Sequence, residues 1–514
     1  MVTSAFILLG GLLRSSELAN KQIISTPKVN QSPPIETETE RLVRKSVQEG
    51  READLTGRKD RVLSAKFLSS MLFFTAASTP PSKAIYIRGA VVDGKVVPPT
   101  GSFRVPNILT LKDCEFRDQV VLAHGRFEQS VAFIDVAFRK GLDLSNASIQ
   151  GDLVMLHGSA AASDGQPEIN LASAQIGGEL HMRPVEAKNI AALALKAKTV
   201  EIIIDKSVVN KLDLSLATVD MVRILGLENN SQNRIDVLNL QQALISGDLW
   251  LDRLQLKDVH TSGMHVTGIT ELGPDLNIKD NLELIDTHQG YLSWTVPSQW
   301  PSKINASGLS FDELGITSGK EPGDLNVEFL RVAKSSESAL LAYEQILRNR
   351  GQLTEADTVY SLMREKRRSE ARKNSDGNVL SELHAAIFSA LDKGQEIFLG
   401  YGRFPLQPLL WSATFVLLGV FVFRDQNRMD PTKENVSTSD SQAKPTDKDR
   451  PPQVPYSQFW YSLELFLPVV DLGVAKNWRP KTSQRSLRAY ARVHQLAGWI
   501  LIPVSLAAVT GALK

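Results

Sequence analysis

Residues 116–155, FRDQVVLAHGRFEQSVAFIDVAFRKGLDLSNASIQGDLVM, decide how the rest of the chain is read. Phe116, Phe127, Phe138 and Ile149 recur every eleven residues, and Val120, Val131, Leu142 and Leu153 keep the same step. So do Leu122, Phe133, Leu144 and Met155. An interval of eleven also fits a right-handed supercoil of helices. Against that, the V-x-L and L-x-L pairs have the period of a strand, and Gly141 and Gly151 fall at the bends. Short strands at fixed spacing make a solenoid in which each rung buries its inward residues against the next.

The unit returns almost letter for letter as Ala147-Ser-Ile-Gln-Gly-Asp-Leu-Val-Met155 and Ala243-Leu-Ile-Ser-Gly-Asp-Leu-Trp-Leu251. Two such strands with their bends give about twenty-two residues per coil, which favours a right-handed parallel β-helix over a leucine-rich horseshoe. Rungs are expected from Ile85, again at Ala174–Met182, Leu212, Leu249 and Leu282, so the solenoid with its N-terminal cap is assigned to residues 61–315. Ahead of it, residues 1–60 hold a polar linker and a charged, helix-period stretch over 40–61. The apolar run at residues 2–13 is too short to span a bilayer. It reads either as the core of a secretory signal ending near residue 19 or as a start without a structural role.

After the rungs the period becomes helical. Residues 326–400 read as a neck, with helices over 327–350 and 354–373 turning at Gly351 and an amphipathic helix over 379–398. Residues 404–424 and 490–513 each carry about twenty apolar letters and read as transmembrane helices. Between them lie a polar loop, 425–455, expected to be disordered, and an aromatic helix over 456–473, interfacial or re-entrant. The fold class is mainly β: a right-handed parallel β-helix, an α-helical neck and a two-helix transmembrane region.

The rungs, with LRNRGQLTEADTVYSLMREKRR (347–368), GYGRFPLQPLLW (400–411) and SLELFLPVVDLG (462–473), resemble bacterial membrane-attached pentapeptide-repeat-like β-helix proteins with two C-terminal transmembrane helices. The resemblance covers roughly residues 60–514. It implies architecture and membrane attachment, and supplies no catalytic residues.

A net charge of +1 carries no polyelectrolyte signature, so no nucleic-acid partner is expected. A single cysteine, Cys114, excludes an intramolecular disulfide framework and reads as a small buried apolar residue. The acids Asp135, Asp143, Asp152, Asp213 and Asp248 fall at outward or bend positions on different rungs, and His260 and His265 lack metal-ligand spacing. No catalytic, cofactor or metal residue is therefore assigned. Trp294 and Trp300, in GYLSWTVPSQWP (290–301), form either a ligand-facing patch or a lid on the solenoid. In 456–473, Trp460, Glu464 and Asp471 are the candidate residues of an interfacial helix or a pore loop.

The expected function is a membrane-anchored scaffold, with the lipid bilayer and an unidentified protein or glycan as partners. An ion-conducting protein with a pore-like loop at 456–473 and a polysaccharide-active β-helix enzyme are the alternatives. The cations Lys476, Arg479, Lys481, Arg485, Arg488 and Arg492 precede the second apolar segment, which puts that loop in the cytoplasm. The β-helix would then lie in the periplasm, on the outer side of a bacterial inner membrane. The basic run of residues 364–373 argues the opposite way.

Overall fold

A computed structural model describes residues 36–73, 84–98, 103–161, 166–228, 232–295, 299–317, 325–334, 336–373, 379–399, 406–432, 454–467 and 469–510. The expected signal at 1–19 and most of the 425–455 loop lie outside these. The chain divides into two compact units, Met1–Ile203 and Ile204–Lys514.

In the first unit the eleven-residue ladder splits between faces. Ile85, Leu109, Val131, Leu153, Leu180 and Val200 pair in parallel as one buried column. Val96, Val120, Leu142, Ile169 and Ile190 form a second column in the opposite sheet. Phe116 and Phe138 stack in a third, and Phe127 with Ile149 in a fourth. One coil thus consumes two elevens, and a residue meets its counterpart one coil later instead of at the next repeat. The chain is a parallel β-solenoid because these columns are apolar and what lies between them is not.

The bends show why the acids recur. The carboxylate of Asp143 accepts the backbone N–H of Ser145 at 3.0 Å, and Asn170 does the same for Ala172 at 3.1 Å. These side chains mimic a backbone turn and so fix the corner. The corner itself passes through a left-handed residue at His124, Asn146, Ser173 and Ala194. Leucine-like or alanine side chains fit that region poorly, whereas glycine enters it freely. Ala194→Gly is therefore expected to raise stability by up to about 1 kcal/mol, read as a higher melting temperature. A lower one would show that the corner is not strained.

The cap begins earlier than the sequence suggested. The helix α1 (Glu38–Glu49) stops at Gly50, whose φ is 68°, so the helical period expected over 40–61 ends there. Ala53–Asp54 and Val62–Ser64 are already rung strands, paired with Ile85–Arg88 and Val91–Asp93. Glu40 joins cap to rung: its carboxylate accepts the Ser64 hydroxyl at 2.6 Å, while Ser64 caps α2 (Ala65–Leu72). Cys114 is buried beside the carbonyls of Ile87 and Lys112, and burial pushes its thiol up to about 11. At pH 8 Ellman's reagent should label no thiol in the native protein and one per chain in guanidinium. Rapid native labelling would place Cys114 at the surface.

In the second unit Leu212, Leu238, Val259, Leu282 and Ile304 make one core column. Ile224, Leu251, Leu272, Trp294 and Ile316 make the facing one. The corner chemistry repeats at Asp213, Asn239 and Asn305. The solenoid is closed by α3 (Leu325–Val332), which buries Phe329 and Leu330 against it. The single helix expected over 327–350 is broken, because Lys334 leaves the helix to add to the sheet edge. Its N–H donates to Ile304 O at 2.8 Å and its carbonyl accepts from Ala306 N at 3.0 Å. The neck continues as α4 (Glu337–Asn349), α5 (Leu353–Lys373) and α6 (Val379–Leu399).

The C-terminal block holds α7 (Gln407–Val422), α8 (Gln458–Phe466), the short α9 (Val474–Asn477) and α10 (Arg485–Val509). Among the described residues no helix is long and apolar enough to cross a membrane, which corrects the expected spans at 404–424 and 490–513. At ~1.5 Å per residue α7 reaches ~24 Å, short of ~30 Å of hydrocarbon. Although α10 has 25 residues, it opens with Arg485, Arg488 and Arg492. The start of the loop expected to be disordered is folded: Met429–Pro431 pairs antiparallel with Trp478–Pro480.

Candidate functional site

The C-terminal block packs inside out. Where α7, α8 and α10 meet, Ser412, Ser462, Gly419, His494, Gly498 and Ser505 are buried beside an apolar cluster of Val416, Phe466 and Leu501. The Ser462 hydroxyl donates to Val416 O at 2.8 Å, and His494 Nε2 lies 3.1 Å from Ser462 O. That carbonyl can only accept, so Nε2 carries the proton. Ser412 and Ser505 approach to 3.4 Å. Gly419 and Gly498 permit this closeness. A methyl group on Gly419 would meet Ser462 Oγ, and one on Gly498 would meet the Phe466 carbonyl.

Many of the large apolar side chains nevertheless face outward. Leu410, Leu417 and Phe421 of α7 are 65%, 66% and 64% exposed, and Leu496, Ile500 and Leu506 of α10 are 62%, 64% and 66%. The α8 side chains Phe459 and Trp460 are exposed and packed edge to face. The same inversion runs into α6, which buries Ser389 and Asp392 and exposes Ile387, Phe388 and Leu391. A water-facing bundle does the reverse. Small and polar residues inside, with leucines outside, is how helices associate in lipid.

One end of the block is a small folded cap. Phe423, Met429, Tyr461, Val474, Leu487 and Ala491 form its core, with Tyr456, Trp478 and Tyr490 against them. Glu464, a candidate pore acid, points into this cap: its carboxylate accepts the N–H groups of Val474 and Ala475 at 2.7 and 2.8 Å. It is the N-terminal acceptor of α9. Asp471, the other candidate, is exposed and paired with Lys476, which holds its carboxyl below the ordinary value. Trp460 lies exposed on the outer face of α8.

On the solenoid, Trp294 is buried in a core column, edge-on to Trp300 and Phe329 at 5.4 and 5.9 Å. Trp300 Nε1 donates to Glu328 at 3.3 Å. Both tryptophans belong to the lid under α3, and Trp294 offers no ligand face. Four of the five acids raised for polysaccharide chemistry, Asp143, Asp152, Asp213 and Asp248, accept backbone N–H groups. Asp152 accepts Glu179 N at 3.0 Å and Asp248 accepts Ile269 N at 2.8 Å. Asp135 takes a left-handed bend, with His157 3.8 Å away. His260 pairs with Glu283 at 2.8 Å, whereas His265 stacks on His288 at 4.7 Å. Among the described residues no cluster of three His, Cys, Asp or Glu side chains could hold a metal.

Two surface features of the second unit escaped the sequence reading. Arg223 lies over the Trp250 ring at 5.0 Å, with Glu271 in register on the next rung. Trp250 was legible as the outward letter of a rung, but only the neighbouring strand supplies its arginine. On the other sheet, a groove of about 250 Å³ is lined by Arg234, Gln255, Leu256, Lys257, Lys279 and Asp280. Three cations of the basic run in α5 are engaged within the neck. Arg364 and Arg368 both bind Asp392 of α6, and Lys366 donates to Leu330 O, Ala333 O and Ser336 Oγ. These cations tie the neck together, and headgroup binding has no claim on them. Comparison with protein-family models, with curated proteins and with solved structures gave no match.

Proposed function

We propose that the chain is a membrane-anchored β-helix scaffold. Its C-terminal block is seated in lipid, and its solenoid offers a rigid, regular surface to a protein or glycan partner without catalysis. The observation that carries the anchor is the packing of α7, α8 and α10, with serines, glycines and His494 buried at the seam and most leucines of α7 and α10 exposed. Burying each exposed leucine in hydrocarbon stabilises by about 1.5–3 kcal/mol, so a dozen such side chains far outweigh the cost of immobilising one block. The anchor needs no complete crossing, because α6 and α8 carry apolar outer faces suited to the interface. The scaffold half rests on the turn acids being engaged by backbone and on the Arg223–Trp250 pair, a surface of the kind that recognition favours. The location that goes with this reading is an inner membrane, with the solenoid on its periplasmic side.

Flotation on a density gradient tests the anchor. The full chain should rise with phospholipid vesicles, and the variant Leu417→Asn/Phe421→Asn/Ile500→Asn should stay below with unchanged β-type circular dichroism. A full chain that remains in the aqueous fraction would overturn the reading.

A further inference from the structure

The cap at the end of the C-terminal block has a charge that its own folding does not use. Across residues 424–432 and 456–492 stand eight cations: Arg424, Arg428, Lys476, Arg479, Lys481, Arg485, Arg488 and Arg492. Four carboxylates share the same segments, Asp425, Asp430, Glu464 and Asp471. Glu464 is spent on α9, Asp425 on Arg428 and Asp471 on Lys476. Among the described residues Lys481, Arg485 and Arg492 have no acidic partner, and Arg424 rests over the Phe421 ring at 4.9 Å. Arg479 donates to Thr432 Oγ1, with Asp430 in register across the strand pair, and Arg488 donates to Thr482 O.

Position adds to charge. Arg424 follows the C-cap residue of α7, while Arg485, Arg488 and Arg492 lie on the first two turns of α10. All therefore sit where the outward-facing leucines end. The strand pair and the aromatic core of the cap hold them on a folded platform instead of a loose loop. Each cation close to an anionic bilayer contributes about 1 kcal/mol, and an apolar face beside them lets both terms act together.

We propose that this cap is a docking surface for the headgroups of anionic phospholipids, with Lys481, Arg485 and Arg492 as the principal contacts. The proposal rests on the membrane reading above and adds the lipid class to it. It sets the block's depth and polarity, with the cap in the headgroup layer of the leaflet richer in acidic lipid.

The test is flotation of the full chain with vesicles of phosphatidylcholine alone and of phosphatidylcholine with phosphatidylglycerol, at low and high salt. The expected result is tighter binding to the mixed vesicles, by roughly a hundredfold for three cations, which high salt removes. Lys481→Glu/Arg485→Glu/Arg492→Glu should lose the preference while still binding neutral vesicles. Equal binding to both vesicle types would overturn this proposal and leave the anchor standing. Binding to neither would remove the anchor and this proposal with it. Should the triple variant misfold, as judged by its circular dichroism, the salt dependence of the unaltered chain on the two vesicle types decides by itself.

Discussion

Phe133→Ala is expected to destabilise the first unit by about 3–5 kcal/mol. Phe133 is fully buried, stands in register between Leu111 and Met155, and packs edge-on against Phe138 at 5.4 Å. A solenoid rung touches only its two neighbours, so nothing from elsewhere collapses into the void. Phe133→Leu keeps most of the volume and should cost under about 1.5 kcal/mol. The next residue, Ala132, points outward, and Ala132→Ser should fall within about 0.5 kcal/mol of the parent. Urea unfolding at constant m-value measures all three. If Phe133→Ala and Ala132→Ser proved equal, the inward assignment of the ladder would be wrong.

Gly498→Leu is expected to have the second large effect, on the C-terminal block. Its side chain would occupy the place of the Phe466 carbonyl, and backbone cannot step aside as a side chain can. The cost should reach or exceed the ~1–3 kcal/mol typical of overpacking, because α8 must leave α10 and Ser462 then loses His494. Trypsin should consequently cut after Arg488 and Arg492 many times faster than in the parent. Leu496→Val, an equally apolar change on the outer face, should leave that rate alone. Equal cleavage of both variants would mean that the helices do not pack through their small residues.

The rungs were legible because their signal is a spacing, and spacing survives without knowing what touches what. Trp294 was legible too, in principle: it follows Leu251 and Leu272 at the coil interval and so belongs to a core column. Read by letter, as an aromatic in a divergent stretch, it left a lid and a ligand face both open. The spans failed for a related reason. Counting apolar letters over 404–424 ignores where a helix can begin, and α7 starts only at Gln407, with Pro408 in its first turn. The break at Lys334 was invisible, since it depends on the edge of a sheet some thirty residues upstream. The buried seam of Ser412, Ser462 and His494 was hidden as well, because it joins residues from three helices.

The repeated left-handed corner makes the coil an interchangeable part. Leu142 stacks on Val120 and Leu153 on Val131, each pair one full circuit apart, with matching corners at His124 and Asn146. Excising one circuit would seat Leu142 where Val120 had been and Leu153 upon Leu109, with every corner still matched. Each circuit spans about 4.8 Å along the axis. The number of circuits in this unit can therefore be trimmed or extended in whole steps, like the divisions of a measuring stick.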